Sequence, residues 1–479
     1  MRNRIVAGAC AVLGAALLAA SVSRAGVERK SLYRGSHQPI GIAVDGSGRV
    51  HLSWQSSDHH LHYARIDGAK RRDELVDPND SGYWSSIALD SAGHPHVAYH
   101  AELGGPDGSV LMYAHFDGAA WSFENLGPGG YATAIAVDAD DRPHVAHARG
   151  DGSFEYLHLD TGGWERESPV AFGAWGATPM SLALDSAGHA HLGLEDPNTH
   201  RPLYATNASG DWVATELADS SGRGASIALD ALERPRAAIP LSDFGTIRYS
   251  RFDGASWVSE DLYDPHDFPT GASNAPSGAA LALDAQDRPQ ILFTTDLLDA
   301  SGTAQIVSYA HRDGAEWRGG NLERRGGGGF VGLVMGSDGA ARGVYSLVSP
   351  TALDTQQGRS VRVTLPDLTG EWTSLAATEK NGTTRVDGVL QVRNDGADKS
   401  KSVRIAIYLS EDATLDATDT WVFLPKSIGA VAPGKTKSVR FSFTRLGLWS
   451  GKHLIAVIDP ARLADDLDRP NNTIPGPLP

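Results

Sequence analysis

The sequence predicts an all-β protein: a seven-bladed β-propeller followed by an immunoglobulin-like β-sandwich. A motif of the form SIALDSAGHPHVAY, residues 86–99, recurs in seven copies spaced by 45 to 54 residues. Each copy contains four short strand-like runs, which is typical of one propeller blade. From about residue 366 the repeat gives way to alternating runs such as VRIAIYL and KHLIAVID. This alternation predicts the half-buried strands of an antiparallel sandwich.

The first 25 residues have the pattern of a secretory signal peptide. Arg2 and Arg4 accompany an apolar run from Ile5 to Ala20, and Ser23-Arg24-Ala25 offers a small-x-small cleavage site. We therefore expect an exported protein, located in the periplasm, on the cell surface or in the medium. The one cysteine, Cys10, lies in this segment. The mature chain then has no thiol and depends on its packed core.

Charge and hydropathy exclude several kinds of partner. The formal net charge is −16, and about −19 without the three arginines of the predicted signal peptide. Nucleic acid and anionic lipid are poor partners for such an acidic chain. No other apolar segment approaches the ~20 residues that a transmembrane helix needs. We expect no transmembrane segment and no nucleic-acid partner.

The repeat predicts where each blade turns. In the second copy, Asp90 to Gly93 suits a tight hairpin turn between the first two strands, since the carboxylate can accept local backbone N–H groups. A Tyr, then Asp-Gly or a related pair, then a Trp follow, as in YAHFDGAAW. The seven copies of the first half begin at Gly41, Ser86, Ala134, Ser181, Ser226, Ala280 and Gly332.

The ring is predicted to close through the N-terminus. The seventh copy offers three strands, and VERKSLYRG, residues 27–35, resembles a fourth. We expect the propeller to span residues 26–365, with the N-terminal strand completing the last blade so that no sheet edge stays open. Trp372 is the competing candidate for the Trp of the seventh blade.

Histidines recur at one position of the repeat and raise the question of a metal site. Equivalent atoms in adjacent blades are expected ~10 Å apart, whereas zinc needs ligand nitrogens ~2 Å from one centre. We therefore expect structural hydrogen bonds and no metal site, and we expect the repeated Tyr and Trp rings to pack between blades. The position is occupied by His51, His96, His144 and His191, and then by Arg236, Gln290 and Arg342.

The second region, residues 366–479, carries a set of residues at characteristic places: Pro366-Asp367-Leu368, Val392, Asn394, Gly396, Tyr408-Leu409-Ser410, Asp412, Leu415-Asp416, Asp419, Pro433-Gly434, Asp459 and Asn471-Asn472. With these residues the region resembles a CARDB domain, an immunoglobulin-like module described as related to cell adhesion in bacteria. The three aspartates 412, 416 and 419 also suggest calcium, which prefers several oxygen ligands. Their spacing is not that of an EF-hand, and we favour a solvated turn and no cofactor.

The blades resemble the Asp-box, sialidase-like and propeller-lectin repeats of secreted bacterial proteins. They depart from the Asp-box pattern Ser-x-Asp-x-Gly-x-x-Trp. In a four-stranded blade the tight hairpins emerge on one face, the hairpin face, and the longer loops on the other, the loop face. The longer loops vary in length and content, and such variation over a uniform scaffold is typical of a binding surface.

Aromatic and basic residues in these loops are the candidates for ligand binding. Aromatic faces stack on sugar rings, and Arg pairs with carboxylates in bidentate fashion. The candidates are Tyr83, Trp84, Tyr131, Trp175, Arg223, His266, Phe268, Arg324 and Arg325.

These observations favour an exported, noncatalytic binding or adhesion protein whose loop face engages a glycan or a cell-surface protein. One alternative is a carbohydrate-active enzyme of the sialidase-like or polysaccharide-lyase kind. Such an enzyme needs positioned carboxylates, and the spacing of the loop acids selects no pair among Glu102, Asp107, Glu195, Asp196, Asp267 and Asp296. A second alternative is a structural envelope protein.

Overall fold

The structure is a computed structural model that describes eleven stretches of the chain. They are residues 27–34, 40–103, 108–170, 181–242, 245–262, 274–299, 302–314, 316–325, 330–349, 352–459 and 469–478. The predicted signal peptide lies outside the described residues.

The repeats form seven four-stranded antiparallel sheets. The chain enters with β1 (Val27–Arg34). Blade 1 contains β2 (Gly41–Val44), β3 (Val50–Gln55), β4 (Leu61–Asp67) and β5 (Lys70–Asp77). Blade 2 contains β6 (Ser81–Leu89), β7 (Pro95–Glu102), β8 (Ser109–Phe116) and β9 (Trp121–Pro128). Blade 3 contains β10 (Gly130–Val137), β11 (Pro143–Arg149), β12 (Phe154–Asp160) and β13 (Gly163–Glu167). Blade 4 contains β14 (Ser181–Leu184), β15 (Ala190–Glu195), β16 (Pro202–Thr206) and β17 (Val213–Glu216).

The remaining three blades follow the same plan. Blade 5 contains β18 (Ser226–Leu229), β19 (Pro235–Leu241), β20 (Thr246–Phe252) and β21 (Trp257–Leu262). Blade 6 contains β22 (Asn274–Leu283), β23 (Pro289–Asp299), β24 (Gly302–Asp313) and β25 (Glu316–Arg325). Blade 7 contains β26 (Val331–Met335), β27 (Ala341–Ser349), β28 (Ala352–Val363) and the N-terminal strand β1.

The seven sheets form a closed ring. The first strand of each blade contacts the first strand of the next, and β26 of the last blade contacts β2 of the first. The N-terminal strand β1 pairs antiparallel with β28, from Val27 opposite Val363 to Arg34 opposite Gln357. Blade 7 therefore combines the two ends of the repeat region in one sheet, and β28 has hydrogen-bonded neighbours on both sides.

The hairpin between the first two strands is fixed by the aspartate of the repeat. In blade 1, Oδ1 of Asp45 accepts the backbone N–H groups of Ser47 at 3.0 Å and Arg49 at 2.9 Å. Gly48 follows at φ 81°, a conformation that a side chain disfavours. The predicted turn chemistry is thus confirmed at this position.

Three blades place an acidic residue where the turn glycine stands in the others. Each residue adopts a positive φ, and its carboxylate accepts a backbone N–H from the turn of the preceding blade. These hydrogen bonds join neighbouring blades, and they offset the strain of the positive φ at the acidic residue. The pairs are Asp141 (φ 62°) with Ser91 at 2.7 Å, Glu233 (φ 60°) with Ser186 at 2.8 Å, and Asp287 (φ 59°) with Ala231 at 2.9 Å.

Aromatic rings pack between blades as predicted. The Tyr of one blade meets the Trp of the next edge to face, an arrangement that aromatic quadrupoles favour. The ring centroids are 5.2 to 5.4 Å apart in the pairs Tyr63–Trp121, Tyr113–Trp164, Tyr156–Trp212, Tyr204–Trp257 and Tyr249–Trp317.

The second domain is a sandwich of two antiparallel sheets. One sheet contains β29 (Leu368–Lys380), β30 (Thr383–Asn394) and β33 (Thr436–Leu446). The other contains β32 (Thr420–Gly429), β31 (Val403–Ser410), β34 (His453–Ile458) and β35 (Thr473–Pro477), with a 3₁₀ turn at Arg469–Asn472. Trp372 lies in β29 and donates its indole N–H to the carbonyl of Ile474 at 3.1 Å. It therefore belongs to this domain and not to blade 7.

Helical structure is almost absent from the described stretches. None of them forms a helix with the length and apolar character of a membrane span.

Candidate functional site

Three of the predicted ligand-binding residues occupy one structural position on the loop face. Tyr83, Tyr131 and Arg223 each stand three residues before the start of the repeat motif, in blades 2, 3 and 5. Each lies opposite the end of the second strand of its own blade: Tyr83 pairs with His100, Tyr131 with Ala148, and the N–H of Arg223 bonds the carbonyl of Pro240. We call this the rim position. Tyr131 is 40% exposed, and Arg223 is exposed as well.

The residue that follows each rim residue, Trp84, Ala132 or Gly224, lines a cavity on the propeller axis. The first strands of all seven blades line this axial cavity, whose volume is about 290 Å³. Trp84, next to Tyr83, lies at its loop-face end, where its ring meets that of Phe330 edge to face at 5.2 Å. The predicted candidate Trp84 therefore sits at the cavity mouth.

The backbone at the cavity mouth is strained in two neighbouring blades. Trp84 has φ 54°, and Ala132, the equivalent residue of blade 3, has φ 50°. A positive φ is a genuine outlier for a residue as bulky as Trp. The Thr133 hydroxyl donates to the carbonyl of Trp84 and holds the two blades together at this point. The strain thus coincides with a bulge in each first strand.

Polar groups adjoin the rim at Tyr83. Its hydroxyl donates to Oδ1 of Asp80 at 2.8 Å and lies 3.4 Å from Nδ1 of His59. Burial and the bond to Asp80 raise the pKa of Tyr83. The phenol is therefore neutral at pH 7 and acts as a hydrogen-bonding group between blades 1 and 2.

A buried carboxylate lies at the end of β15 on the loop face. Glu195 is 3% exposed, and its Oε1 lies 2.8 Å from Nδ1 of His200. Its Oε2 has no hydrogen-bond partner within the described part of the chain. Burial raises the pKa of Glu195, although His200 and the positive charge of Arg223 act in the opposite direction. This carboxyl thus retains an uncommitted oxygen beside a rim residue.

Several candidates from the sequence cannot be placed in this site. Trp175, His266 and Phe268 lie outside the described residues, as do Asp107 and Asp267. Arg324 and Arg325 lie in strand β25, where their backbones pair with those of Ile306 and Gln305. Their side chains lie outside the described part of the structure. These candidates remain predictions.

The repeated histidines bind tyrosines of their own blades. Nδ1 of each lies within hydrogen-bond distance of a Tyr hydroxyl on the third strand, and the imidazole is buried. The predicted role of these histidines as structural hydrogen-bonding residues is therefore confirmed at Nδ1, where the partner is a tyrosine. The distances are 2.7 Å for His51–Tyr63, 2.6 Å for His96–Tyr113, 2.5 Å for His144–Tyr156 and 2.6 Å for His191–Tyr204.

Sequence reasoning missed two histidine contacts. His115 stands directly opposite His96 across β7 and β8, and their ring centroids are 4.2 Å apart. His100 faces His147 of the next blade at 5.7 Å. The available signal was that His115 follows the repeat's Tyr by two residues. Only the register between the second and third strands shows which residue it meets.

The three aspartates considered as calcium ligands accept backbone N–H groups within their own loop. Oδ1 of Asp412 accepts the N–H of Thr414 at 2.7 Å, and Oδ1 of Asp416 accepts that of Thr418 at 2.7 Å. Oδ2 of Asp419 accepts the N–H of Asp416 at 2.9 Å. This pattern is that of a solvated turn with local side-chain to backbone bonds.

Comparison with known proteins finds a family model that matches part of the chain and several solved structures of low sequence identity. The family model CARDB matches residues 365–475. No curated protein matches the chain significantly. Among solved structures, a polysaccharide lyase of family PL25, an ulvan lyase, is 12% identical with a TM-score of 0.48, and the match covers 69% of this chain and 95% of that one.

Two further structures are similar at lower TM-scores. A single-substitution mutant of the Aleuria aurantia lectin, in complex with Fucα1-6GlcNAc, is 15% identical with a TM-score of 0.38, covering 58% of this chain and 93% of that one. The CARDB domain of a Pyrococcus furiosus protein in complex with di-metal ions is 18% identical with a TM-score of 0.19, covering 24% and 90%. The ring of seven sheets is a β-propeller, and the region that follows it, residues 365–475, is a CARDB domain.

Proposed function

We propose that the protein acts outside the cytoplasm as a noncatalytic binding protein whose loop face holds a carbohydrate around the mouth of the axial cavity. The CARDB domain would serve as spacer or attachment. Export is supported by the signal-peptide pattern of the first 25 residues.

The observation that carries the proposal is the strained, aromatic cavity mouth. Trp84 adopts a positive φ that its side chain disfavours, and its backbone is held there by Thr133 of the next blade. Strain of this kind persists where the surrounding structure enforces it, and it clusters at binding sites. The neighbouring rim residue Tyr131 presents an exposed ring. Two aromatic rings at adjacent blades offer apolar faces on which sugar rings can stack.

Polar groups near the same rim supply the hydrogen bonds that a sugar needs. Arg223 is exposed, and His59 lies beside Tyr83. Among the described residues, one oxygen of Glu195 has no hydrogen-bond partner. A few positioned polar groups around an apolar surface are the usual composition of a small-ligand site. Arg223 adds a positive charge suited to an acidic sugar.

The test is binding of the purified mature chain to a glycan array, followed by titration of the best glycan. We expect Tyr131→Ala and Trp84→Ala each to weaken binding about tenfold or more, equivalent to the loss of about 1.4 kcal/mol or more. Ala132 shows that alanine fits the backbone at the Trp84 position. Phe123→Ala is the matched control, because Phe123 is 46% exposed on the outer strand β9, away from the rim.

Two results would overturn the proposal. One is silence of the wild-type chain on all glycans, which would favour a protein partner or a structural role. The other is equal affinity in the wild type and both rim variants.

A second function is favoured by one observation, the buried carboxyl of Glu195. A carboxyl with a raised pKa beside an imidazole is suited to proton transfer, as a carbohydrate-active enzyme requires. Incubation with acidic polysaccharides, read by the appearance of new reducing or unsaturated ends, tests this function. Turnover that disappears in Glu195→Gln would favour the enzyme. Binding without product from the wild type would favour the noncatalytic protein.

A further inference from the structure

Blade 2 brings three potential metal ligands together at the hairpin face, away from the rim. They are the carboxylate of Asp90, at the end of the first strand, and the imidazoles of His96 and His115, on the second and third strands. One ligand atom from each residue lies within 4.8 Å of the other two. Because His96 and His115 are direct cross-strand partners, their side chains emerge on the same side of the sheet.

Two imidazole nitrogens in this cluster lack a partner. Nε2 of His96 and Nε2 of His115 are both buried without a hydrogen bond in the described part of the molecule. His96 is only 3% exposed, and its Nε2 is 3.9 Å from Oδ2 of Asp90, which is beyond hydrogen-bond distance. A buried polar atom without a partner calls for an explanation, and a bound ion is one of the standard ones.

The cluster differs from its counterparts in blades 1 and 3. There the carboxylates of Asp45 and Asp138 are bound by Arg49 and Arg142. A guanidinium already neutralises each carboxylate, which disfavours a cation at the same place. In blade 2 the arginine is replaced by His94, whose Nδ1 lies 3.1 Å from Oδ2 of Asp90.

Blade 4 provides a natural comparison. Asp185 and His191 have the same arrangement as Asp90 and His96, and His189 stands where His94 does. The residue opposite His191 is Thr206, however, so the third ligand is missing. Among the described blades, the combination of a carboxylate without arginine and two facing imidazoles thus occurs in blade 2.

The surroundings of the cluster are acidic. Asp141 reaches over from blade 3, where its carboxylate accepts the N–H and the hydroxyl of Ser91 at 2.7 Å each. Asp141 and Asp90 both act on His96 electrostatically, and Asp117 acts on His115.

We propose that Asp90, His96 and His115 bind one divalent transition-metal ion, Zn²⁺. Two imidazole nitrogens and one carboxylate oxygen are a donor set that zinc accepts, with bonds of ~2.0–2.2 Å. Ligand atoms then stand roughly 3.3 Å apart in a tetrahedron, so side-chain shifts on the order of 1 Å close the site. The hydroxyl of Tyr113, 2.6 Å from Nδ1 of His96, orients the ring as outer-shell partners of metal-bound histidines do. Three protein ligands leave the fourth position to water.

The test is zinc binding by the full chain, freed of metal with a chelator and titrated with Zn²⁺ alone by calorimetry. We expect one tight equivalent in the wild type and its loss in His115→Thr, which recreates the pattern of blade 4. His158→Thr is the matched control, because His158 faces His144 in blade 3 at the same position, beside a carboxylate that carries arginine. His62→Ala controls for the exposed Asp58–His62 pair on the loop face. Both controls should keep the tight equivalent.

A spectroscopic measurement keeps the proposal testable if His115→Thr does not fold. Co²⁺ added to the wild-type chain should give the intense visible absorption of a four-coordinate ion with nitrogen ligands, and Zn²⁺ should remove it. Absence of a tight zinc equivalent in the wild type, the same stoichiometry in His115→Thr, or the weak spectrum of six-coordinate Co²⁺ would each overturn the proposal.

Discussion

Nη1 of Arg288, in the first turn of blade 6, donates to Oδ2 of Asp367 at the start of the CARDB domain, at 3.0 Å. The same guanidinium binds Asp284 of its own turn through Nε at 2.7 Å. Oδ1 of Asp367 accepts from Asn471 at 2.9 Å. One repeat arginine therefore joins the propeller to the end of the CARDB sandwich.

This contact predicts an asymmetry between two equivalent arginines. Arg288→Ala removes a turn bond and leaves the buried Asp367 without its charged partner, whereas Arg234→Ala removes the same kind of turn bond, to Asp230, in blade 5. We expect the first substitution to lower the free energy of unfolding by about 1–3 kcal/mol more than the second, because an uncompensated buried charge is costly. Urea unfolding measures the difference. Equal losses would contradict a role for the contact between domains.

The closing strand predicts a local sensitivity at Leu32. Leu32, on β1, is 7% exposed and packs with Ile40, Leu52 and Trp54. Leu32→Ala should cost about 2–4 kcal/mol and lower the Tm, and deletion of residues 27–34 should cost more, since it exposes the edge of β28. Leu75→Ala on the outer strand β5, where the side chain is 52% exposed, is the control and should be nearly neutral. Calorimetry that finds Leu32→Ala as neutral as Leu75→Ala would exclude β1 as a stabilising strand.

The aromatic contact between blades predicts that substitutions of Trp164 lower the stability by different amounts. Its ring meets Tyr113 of blade 2 edge to face, and its indole N–H donates to Oε2 of Glu124 at 3.0 Å. Trp164→Ala should destabilise by about 2–4 kcal/mol, and Trp164→Phe by less, because the ring contact is kept and the hydrogen bond is lost. Trp421→Ala, at a 50% exposed tryptophan of the CARDB domain, serves as control. If chemical denaturation shows that Trp164→Phe loses as much stability as Trp164→Ala, the stabilisation comes from the hydrogen bond alone.

The repeat allowed much of this architecture to be predicted from the sequence. The turn at Asp45, the Tyr–Trp packing and the N-terminal closing strand follow from residue types that recur at fixed spacing, since each blade must satisfy the same geometry. The rim position was also within reach: Tyr83, Tyr131 and Arg223 all stand three residues before the repeat motif. Their common placement was missed because the loops before them differ in length and composition.

The histidine clusters were beyond sequence reasoning for a physical reason. Whether His96 meets His115 depends on the register between two strands, and a shift by one residue would turn the side chain to the opposite face of the sheet. The expectation that histidines of different blades are too far apart to share an ion considered only contacts around the ring. The contact within blade 2 runs across one sheet, where partners are ~5 Å apart.

The buried imidazole of His100 predicts acid sensitivity. Its Nδ1 accepts the N–H of Gly130 at 3.0 Å, and burial next to His147 lowers its pKa to about 3. An unfolded chain takes up this proton near pH 6.5. As the pH falls from about 6.5 towards 3, unfolding therefore gains a proton, and the free energy of unfolding drops by about 1.4 kcal/mol per pH unit for this group. The stability is fully present above pH 6.5.

The variant His100→Gln should reduce this dependence on pH. Glutamine already occupies the equivalent position in blade 1, where Gln55 is buried and donates to the carbonyl of Ser81 at 2.9 Å. Urea unfolding between pH 7 and pH 4 should show a shallower loss of stability in the variant than in the wild type. His59→Gln, at an exposed histidine, should follow the wild type. Parallel slopes in His100→Gln and the wild type would show that the imidazole titrates normally.

The position of β28 determines how the two domains would share a mechanical load. β28 is the third strand of blade 7, with β27 on one side and β1 on the other, and the chain runs from it directly into the CARDB domain. Tension between the domains would pull along this strand. The hydrogen bonds of the two ladders, β27–β28 and β1–β28, would then be loaded in shear and at the same time. The N-terminal strand would therefore supply one of the two ladders that keep the propeller attached to the CARDB domain.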